Sequence, residues 1–147
     1  MKKTIYIGID PDITASGVAV YDKDDNYLEL RTLPFWELID ELKSYLVPIH
    51  VVIEAGHLIK KSNWHGAANN YTAARIGKNV GSNHQIGKLL QEYCEKHDIS
   101  HELVKPLGKV NQEVFNGIWE RKGRTNQEVR DAAMLIYKYV DTRKIKL

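Results

Sequence analysis

Four carboxylates stand at positions unusual for their type. Asp10 and Glu54 each close an apolar run, and Glu128 and Asp131 lie three residues apart near the start of a helical pattern. Taken singly, each has an ordinary explanation. Asp10 precedes Pro11, and Asp-Pro commonly opens a turn. Glu54 follows Val51-Val52-Ile53 directly, where a charge is rarely left without a partner. Glu128 completes Thr125-Asn126-Gln127-Glu128, the pattern of a capping box in which Glu bonds back to the helix cap. Asp131 shares a helical face with Glu128, close to the helix start, where partial positive charge favours anions. Brought together, the four would repel one another unless hard divalent cations neutralised them, and oxygen-only ligands select magnesium or manganese. Two such ions roughly 3.5–4 Å apart can activate a water and stabilise the leaving oxygen in phosphodiester cleavage.

Convergence depends on the elements that carry these residues. Ile5, Ile7 and Ile9 alternate with Tyr6, Gly8 and Asp10, which predicts a strand over 4–10. Residues 17–21 and 27–33 predict two more, the latter pair joined by the turn Asp24-Asp25-Asn26, so the three strands read as an antiparallel meander. A helix follows from Pro34, with Phe35, Leu38, Ile39, Leu42 and Leu46 recurring at helical spacing until Pro48. Residues 50–53 form a continuous β-branched run after His50, as expected of a strand buried on both faces. Residues 67–97 predict one long helix or a pair broken near Gly81-Ser82, with Ile86, Leu89, Leu90 and Tyr93 marking the apolar face of the second half. Ala73, Gly77 and Gly81 fall four apart, a stripe suited to close packing against a dimer partner or the protein's own sheet. A strand over 99–104, a short helix over 110–119 and a terminal helix from Thr125 complete the order β-β-β-α-β-α-β-α-α. If the first and fourth strands are parallel neighbours, their carboxyl ends bring Asp10 beside Glu54, and a helix over that edge can present Glu128 and Asp131.

The 147 residues and 43% apolar content suit one domain with a single core, spanning 1–147. The lone Cys94 cannot form an internal disulfide. No apolar run approaches the roughly 20 residues that span a bilayer, and Met1-Lys2-Lys3 leads into alternating residues rather than a signal core. The expectation is a soluble, intracellular, cytoplasmic protein without membrane contact. A net charge of +2 hides an uneven division: residues 55–91 carry five Lys/Arg and no carboxylate, a segment suited to a polyanion. His57, His65 and His84 lack a paired metal-ligand spacing, and one cysteine cannot complete a zinc finger, so they read as surface or loop residues.

The run Gly8-Ile9-Asp10-Pro11-Asp12-Ile13-Thr14-Ala15-Ser16-Gly17 resembles the opening motif of the RuvC family of Holliday-junction resolvases. Val52-Ile53-Glu54 resembles the second motif of that family. Glu128-Val129-Arg130-Asp131-Ala132-Ala133 resembles its last, and the order fits over nearly the whole chain. The resemblance implies a ribonuclease H-like α/β fold with a five-stranded mixed sheet, a homodimer, and a four-way DNA junction as substrate. It implies Asp10, Glu54, Glu128 and Asp131 as catalytic metal ligands for magnesium or manganese, two ions per site. Two positions depart from the family pattern: Asp12 replaces a glycine, read here as a solvated turn residue, and Glu128 replaces the usual Asp.

Lys60, Lys61, Arg75, Lys78 and Lys88 follow Glu54 and are expected to contact DNA phosphates. Trp64, in a polar stretch, is expected to stack on or wedge between bases, or else to anchor a loop on the core. Lys105 and Lys109 follow the last strand, where the resemblance implies basic residues near the cleaved strand. Other readings are a nuclease for flaps, forks or structured RNA, and a junction-binding protein without catalysis. The phosphate loop of sugar kinases, actin and heat-shock ATPases is also similar to the opening strand, but those proteins need two such domains to enclose a nucleotide.

Overall fold

A computed structural model describes residues 4–58 and 70–141. Strand β1 (Ile5–Asp10), β2 (Ser16–Asp22) and β3 (Tyr27–Leu33) form the meander, followed by helix α1 (Phe35–Lys43) and strand β4 (Ile49–Glu54). Helix α2 (Asn70–Lys96), strand β5 (Ser100–Val104), and helices α3 (Gln112–Trp119) and α4 (Gln127–Ile136) complete the order. The sheet runs β3-β2-β1-β4-β5, antiparallel on the meander side and parallel between β1, β4 and β5. This is the five-stranded mixed sheet that the motifs imply.

Helices cover both faces, which explains why the Val51-Val52-Ile53 run of β4 is apolar without alternation. On one face Ile7, Ile9, Val51 and Ile53 meet Leu38, Leu42, Ile86 and Leu90 of α1 and α2. On the other Ala19, Tyr21 and Val52 meet Phe115 of α3 and Ala132, Ala133 and Ile136 of α4. Helix α4 lies close on the sheet because β1 and β2 present glycines beneath it. A Cβ on Gly8 would come 2.1 Å from the Ala132 carbonyl oxygen, and one on Gly17 would come 2.3 Å from that of Glu128.

Two local expectations are corrected, the end of α1 and the place of Leu89, and two open alternatives are decided. Helix α1 stops at Lys43, because the amide and hydroxyl of Ser44 both donate to the Glu41 carbonyl, at 3.1 and 2.7 Å. Leu46 therefore leaves the apolar face and is fully exposed. Helix α2 runs unbroken through Gly81-Ser82, and its inner face is Ile86, Leu90 and Cys94 while Leu89 faces outward. No described atom lies within 4 Å of a Cβ built on Gly81, so at that position the small-residue stripe does not pack on the protein's own sheet.

Beyond α4 a short helical turn, Tyr137–Tyr139, is tied to the amino-terminal ends of β4 and β5. Lys138 Nζ donates to Glu102 at 2.6 Å, the Tyr139 hydroxyl donates to the same carboxylate, and His50 lies between Glu102 and Ser100 at 2.7 Å from each. Helix α4 is thus held from its carboxyl-terminal side as well as from beneath. Among the described residues no helix is long and apolar enough to cross a membrane.

Candidate metal centre

Parallel pairing places Ile9 opposite Ile53, so the next residues, Asp10 and Glu54, emerge side by side at the carboxyl ends of the two central strands. Ile9 and Ile53 face α1 and α2, and alternation turns both carboxylates toward the α4 face. There Asp131 joins them: one carboxylate oxygen from each of Asp10, Glu54 and Asp131 lies within 4.8 Å of the other two.

Asp131 is closely supported. Its Oδ2 accepts from Lys109 Nζ at 2.7 Å and its Oδ1 from Gln127 Nε2 at 2.8 Å. Gln127 is itself held by the Arg130 guanidinium, which donates to its Oε1 at 2.9 Å and to the Thr125 carbonyl at 2.6 Å. The sequence reading missed Gln127 and Arg130; four-residue spacing from Gln127 to Asp131 on one helix face is the signal that could have found the first.

The structure sets Glu128 apart from the other three. Its side chain is exposed in the first turn of α4, outside the group of converging oxygens. The expected capping box is not formed. Asn126, one residue later than expected, is the cap, its Oδ1 accepting from the Val129 amide at 2.9 Å, so Glu128 falls one position short of the box. Its charge still reaches the cluster. Burial first, then the Glu54 and Asp131 charges, push the Asp10 carboxyl up from 3.8 to about 8, with Lys109 opposing and Glu128 adding the last contribution. Burial and the Asp131 charge also raise Glu54, again against Lys109. The hydrogen bond to Asp131 is the chief reason that the Lys109 ammonium is held more firmly charged than usual. A cluster of this kind must keep a proton or take a cation, and oxygen donors of this type suit a hard divalent ion.

Asp12 is a turn residue as expected, its Oδ2 accepting from the Thr14 and Ala15 amides at 2.9 and 3.2 Å. Lys88 on α2, Lys105 after β5 and Lys109 are exposed. Arg75 and Lys78 belong to α2, and their side chains are outside the described set; Lys60, Lys61 and Trp64 lie outside the described residues.

His84, read as a surface or loop residue, lies half-buried on α2, where it lines a cleft. That cavity, of about 160 Å3, is bounded by Asp10, Pro11 and Glu54 on one side and by Val80, Asn83, His84 and Gly87 on the other. A larger cavity of about 630 Å3 opens at the opposite end of β4, over Ile49 and Cys94. The converging carboxylates, rather than volume, identify the site.

No protein-family model matches the chain, and no curated protein matches it by sequence. Solved structures do match. The chain has the ribonuclease H-like α/β fold. It is similar to T. thermophilus RuvC in complex with a Holliday junction substrate, at 13% identity and a TM-score of 0.51, over 97% of this chain and 96% of that one. A structure of the fowlpox virus Holliday junction resolvase is also similar, at 14% identity and a TM-score of 0.49, over 94% of this chain and 99% of that one.

Proposed function

We propose that this chain, acting as one nuclease unit over 1–147, is a soluble, cytoplasmic, metal-dependent endonuclease that cuts phosphodiester bonds in branched DNA, with the four-way junction as its substrate. The observation that carries this reading is the meeting of Asp10, Glu54 and Asp131 at the carboxyl ends of β1 and β4 under α4. The donor set is all oxygen, and burial and like charge leave it in need of positive charge. Asp10, Glu54 and Asp131 would hold magnesium or manganese, two ions in our reading, with Glu128 as a further ligand from the exposed first turn of α4. Such ions supply Lewis acidity for attack of water on the phosphodiester and for departure of the leaving oxygen.

The chain's own residues set the stage for that chemistry. Gln127 and Lys109 orient Asp131. The α4 backbone, lying on Gly8 and Gly17, sets its height above the strands. Lys60, Lys61, Arg75, Lys78, Lys88, Lys105 and Lys109 would bind phosphates, and Trp64 would stack at the branch point. The basic segment 55–91 supports a polyanionic partner, and the fold shared with a protein bound to a Holliday junction supports this particular one. A homodimer would supply the two centres that paired nicks across a junction require.

The test is cleavage of a synthetic four-way DNA junction against duplex and flap controls, with magnesium or EDTA, for the wild type and Asp10→Asn. Paired magnesium-dependent nicks that disappear in the variant are expected. Cutting of flaps or RNA alone would reject the junction, and binding without cutting would reject catalysis.

A further inference from the structure

We infer that Arg124 binds a backbone phosphate of the DNA, a few nucleotides from the bond held at the carboxylate cluster, in a hollow between α3 and the turn that leads into α4. The inference rests on the branched-DNA reading above and deepens it by naming a contact on the β3 side of the site.

The hollow is open, about 710 Å3 in volume, and is walled by Gln112, Glu113 and Asn116 of α3 and by Arg124 and Arg130. Its lining holds two guanidiniums against one carboxylate, Glu113. Arg130 is half-buried, and every oxygen it donates to is uncharged: the carbonyls of Val110 and Thr125, the Thr125 hydroxyl, and the side-chain amide oxygens of Gln112 and Gln127. A sheltered cation without a counter-charge leaves a positive potential that an anion relieves. Arg124 is exposed, and its guanidinium makes no hydrogen bond or ion pair among the described residues. Its planar fork of N–H donors is therefore free to take a phosphate.

The backbone is fixed on both sides of Arg124. Gly123, at a φ of 93°, turns its carbonyl to accept from Asn116 Nδ2 at 3.0 Å. The amide and hydroxyl of Thr125 both donate to Gln112 Oε1, and its carbonyl accepts from Arg130 at 2.6 Å. Little backbone freedom is left to lose when a ligand binds.

The sheet register gives the place of the hollow. Asp10 stands opposite Gly17, and Gly17 opposite Thr32, so the three form one row across β1, β2 and β3. Strands lie about 4.8 Å apart, which puts Thr32 roughly 10 Å from Asp10. Asn126 Nδ2 donates to the Thr32 hydroxyl at 3.2 Å, so Arg124, two residues earlier, lies at the β3 end of this row. It is also on the α4 face, the face to which Asp10 and Glu54 turn. Two residues of chain add at most about 7 Å. At about 3.4 Å per nucleotide of a strand, roughly 10–17 Å is about three to five nucleotides. Lys105 follows β5 on the other side of Asp10, so cations flank the cluster along the row.

The experiment measures four-way junction affinity in EDTA at several salt concentrations for wild type, Arg124→Gln and Arg124→Lys, with cleavage in magnesium followed separately. Arg124→Gln should weaken binding about five- to tenfold, between an exposed ion pair and a sheltered charged hydrogen bond. Its log–log salt slope should fall by about one, whereas Arg124→Lys should keep the slope. Junctions with a single uncharged methylphosphonate, placed in turn at each phosphate near the branch, locate the contact. One position should weaken the wild type without weakening Arg124→Gln further, because both changes remove the same pair. In a cutting wild type that position should lie about three to five nucleotides from the nick.

Wild-type affinity in Arg124→Gln overturns the assignment, as do additive losses at every methylphosphonate position. So does a loss of affinity that accompanies a fall in Tm, or a change of oligomeric state by light scattering. A wild type that binds no branched DNA overturns the functional reading and this inference together. One that binds without cutting rejects catalysis alone, since the affinity arms still decide on Arg124.

Discussion

Lys109 Nζ stands 2.7 Å from Asp131 Oδ2, an ammonium 69% exposed against a carboxylate only 10% exposed. The helix-borne carboxylate of the cluster thus already has a cation beside it, one that a divalent ion must share or displace. Lys109→Met should tighten manganese binding about two- to fivefold, the range of a solvent-screened ion pair, as measured by calorimetry without DNA. An unchanged affinity would mean that Lys109 and the metal do not compete.

The raised Asp10 carboxyl makes the metal-free protein sensitive to base. The folded state keeps a proton that the unfolded chain releases, so the stability from that proton is full below about 3.8 and is lost as pH rises to about 8. In EDTA the wild-type Tm should therefore fall between pH 5 and pH 8.5. Asp10→Asn should flatten that slope and raise Tm at pH 8.5 by about 3–6 °C. A level wild-type profile would contradict the burial and charge repulsion described at Asp10.

Two glycines should respond in opposite directions to alanine. Gly8→Ala drives a methyl into the Ala132 carbonyl and should cost about 2–3 kcal/mol in urea denaturation, with slower cutting by whatever still folds. Gly81→Ala meets no described atom and sits inside a continuous helix, so it should gain about 0.5–1 kcal/mol. Destabilisation by Gly81→Ala would show that an undescribed segment or a second subunit packs there.

Asn126 rather than Glu128 caps α4, which leaves the Glu128 carboxylate to the ligand role proposed for it. Asn126→Ala should lower stability by about 1 kcal/mol. Glu128→Gln should leave the melting curve in EDTA nearly unmoved while slowing magnesium-dependent cleavage. Equal stability losses from the two would restore the capping-box reading.

At the other end of the sheet, Glu102 works in the opposite pH direction from Asp10. Burial would raise its carboxyl, but hydrogen bonds from Lys138, Tyr139 and His50 outweigh it and bring the group down to about 2. Its contribution is full above 4.5 and lost as pH falls toward 2. Glu102→Gln should cost about 1 kcal/mol at neutral pH, discounted for its partial exposure, and the gap from wild type should close in acid.

What the residues disclosed in advance depended on how local the cause was. Alternation in Ile5–Asp10 and the turn before Tyr27 are properties of consecutive side chains, and those strands lie where expected. The carboxylate pair was legible because the apolar run of β4 demands cover on both faces, which favours a parallel neighbour. The end of α1 was not, since Ser44 competes for the Glu41 carbonyl through one hydroxyl that no apolar period reveals. The place of His84 beside Gly56 and Asp10 was hidden for a different reason, because only the sheet topology brings these residues together.

The third carboxylate arrives on α4, the last regular helix of the described chain, whereas Asp10 belongs to the first strand. A ribosome making this protein therefore exposes two acids of the cluster long before the third. A nascent chain, or one stopped before Gln127, would have neither Asp131 nor the backbone that covers Gly8 and Gly17. Synthesis itself thus delays assembly of the three-carboxylate cluster until most of the described fold has been made.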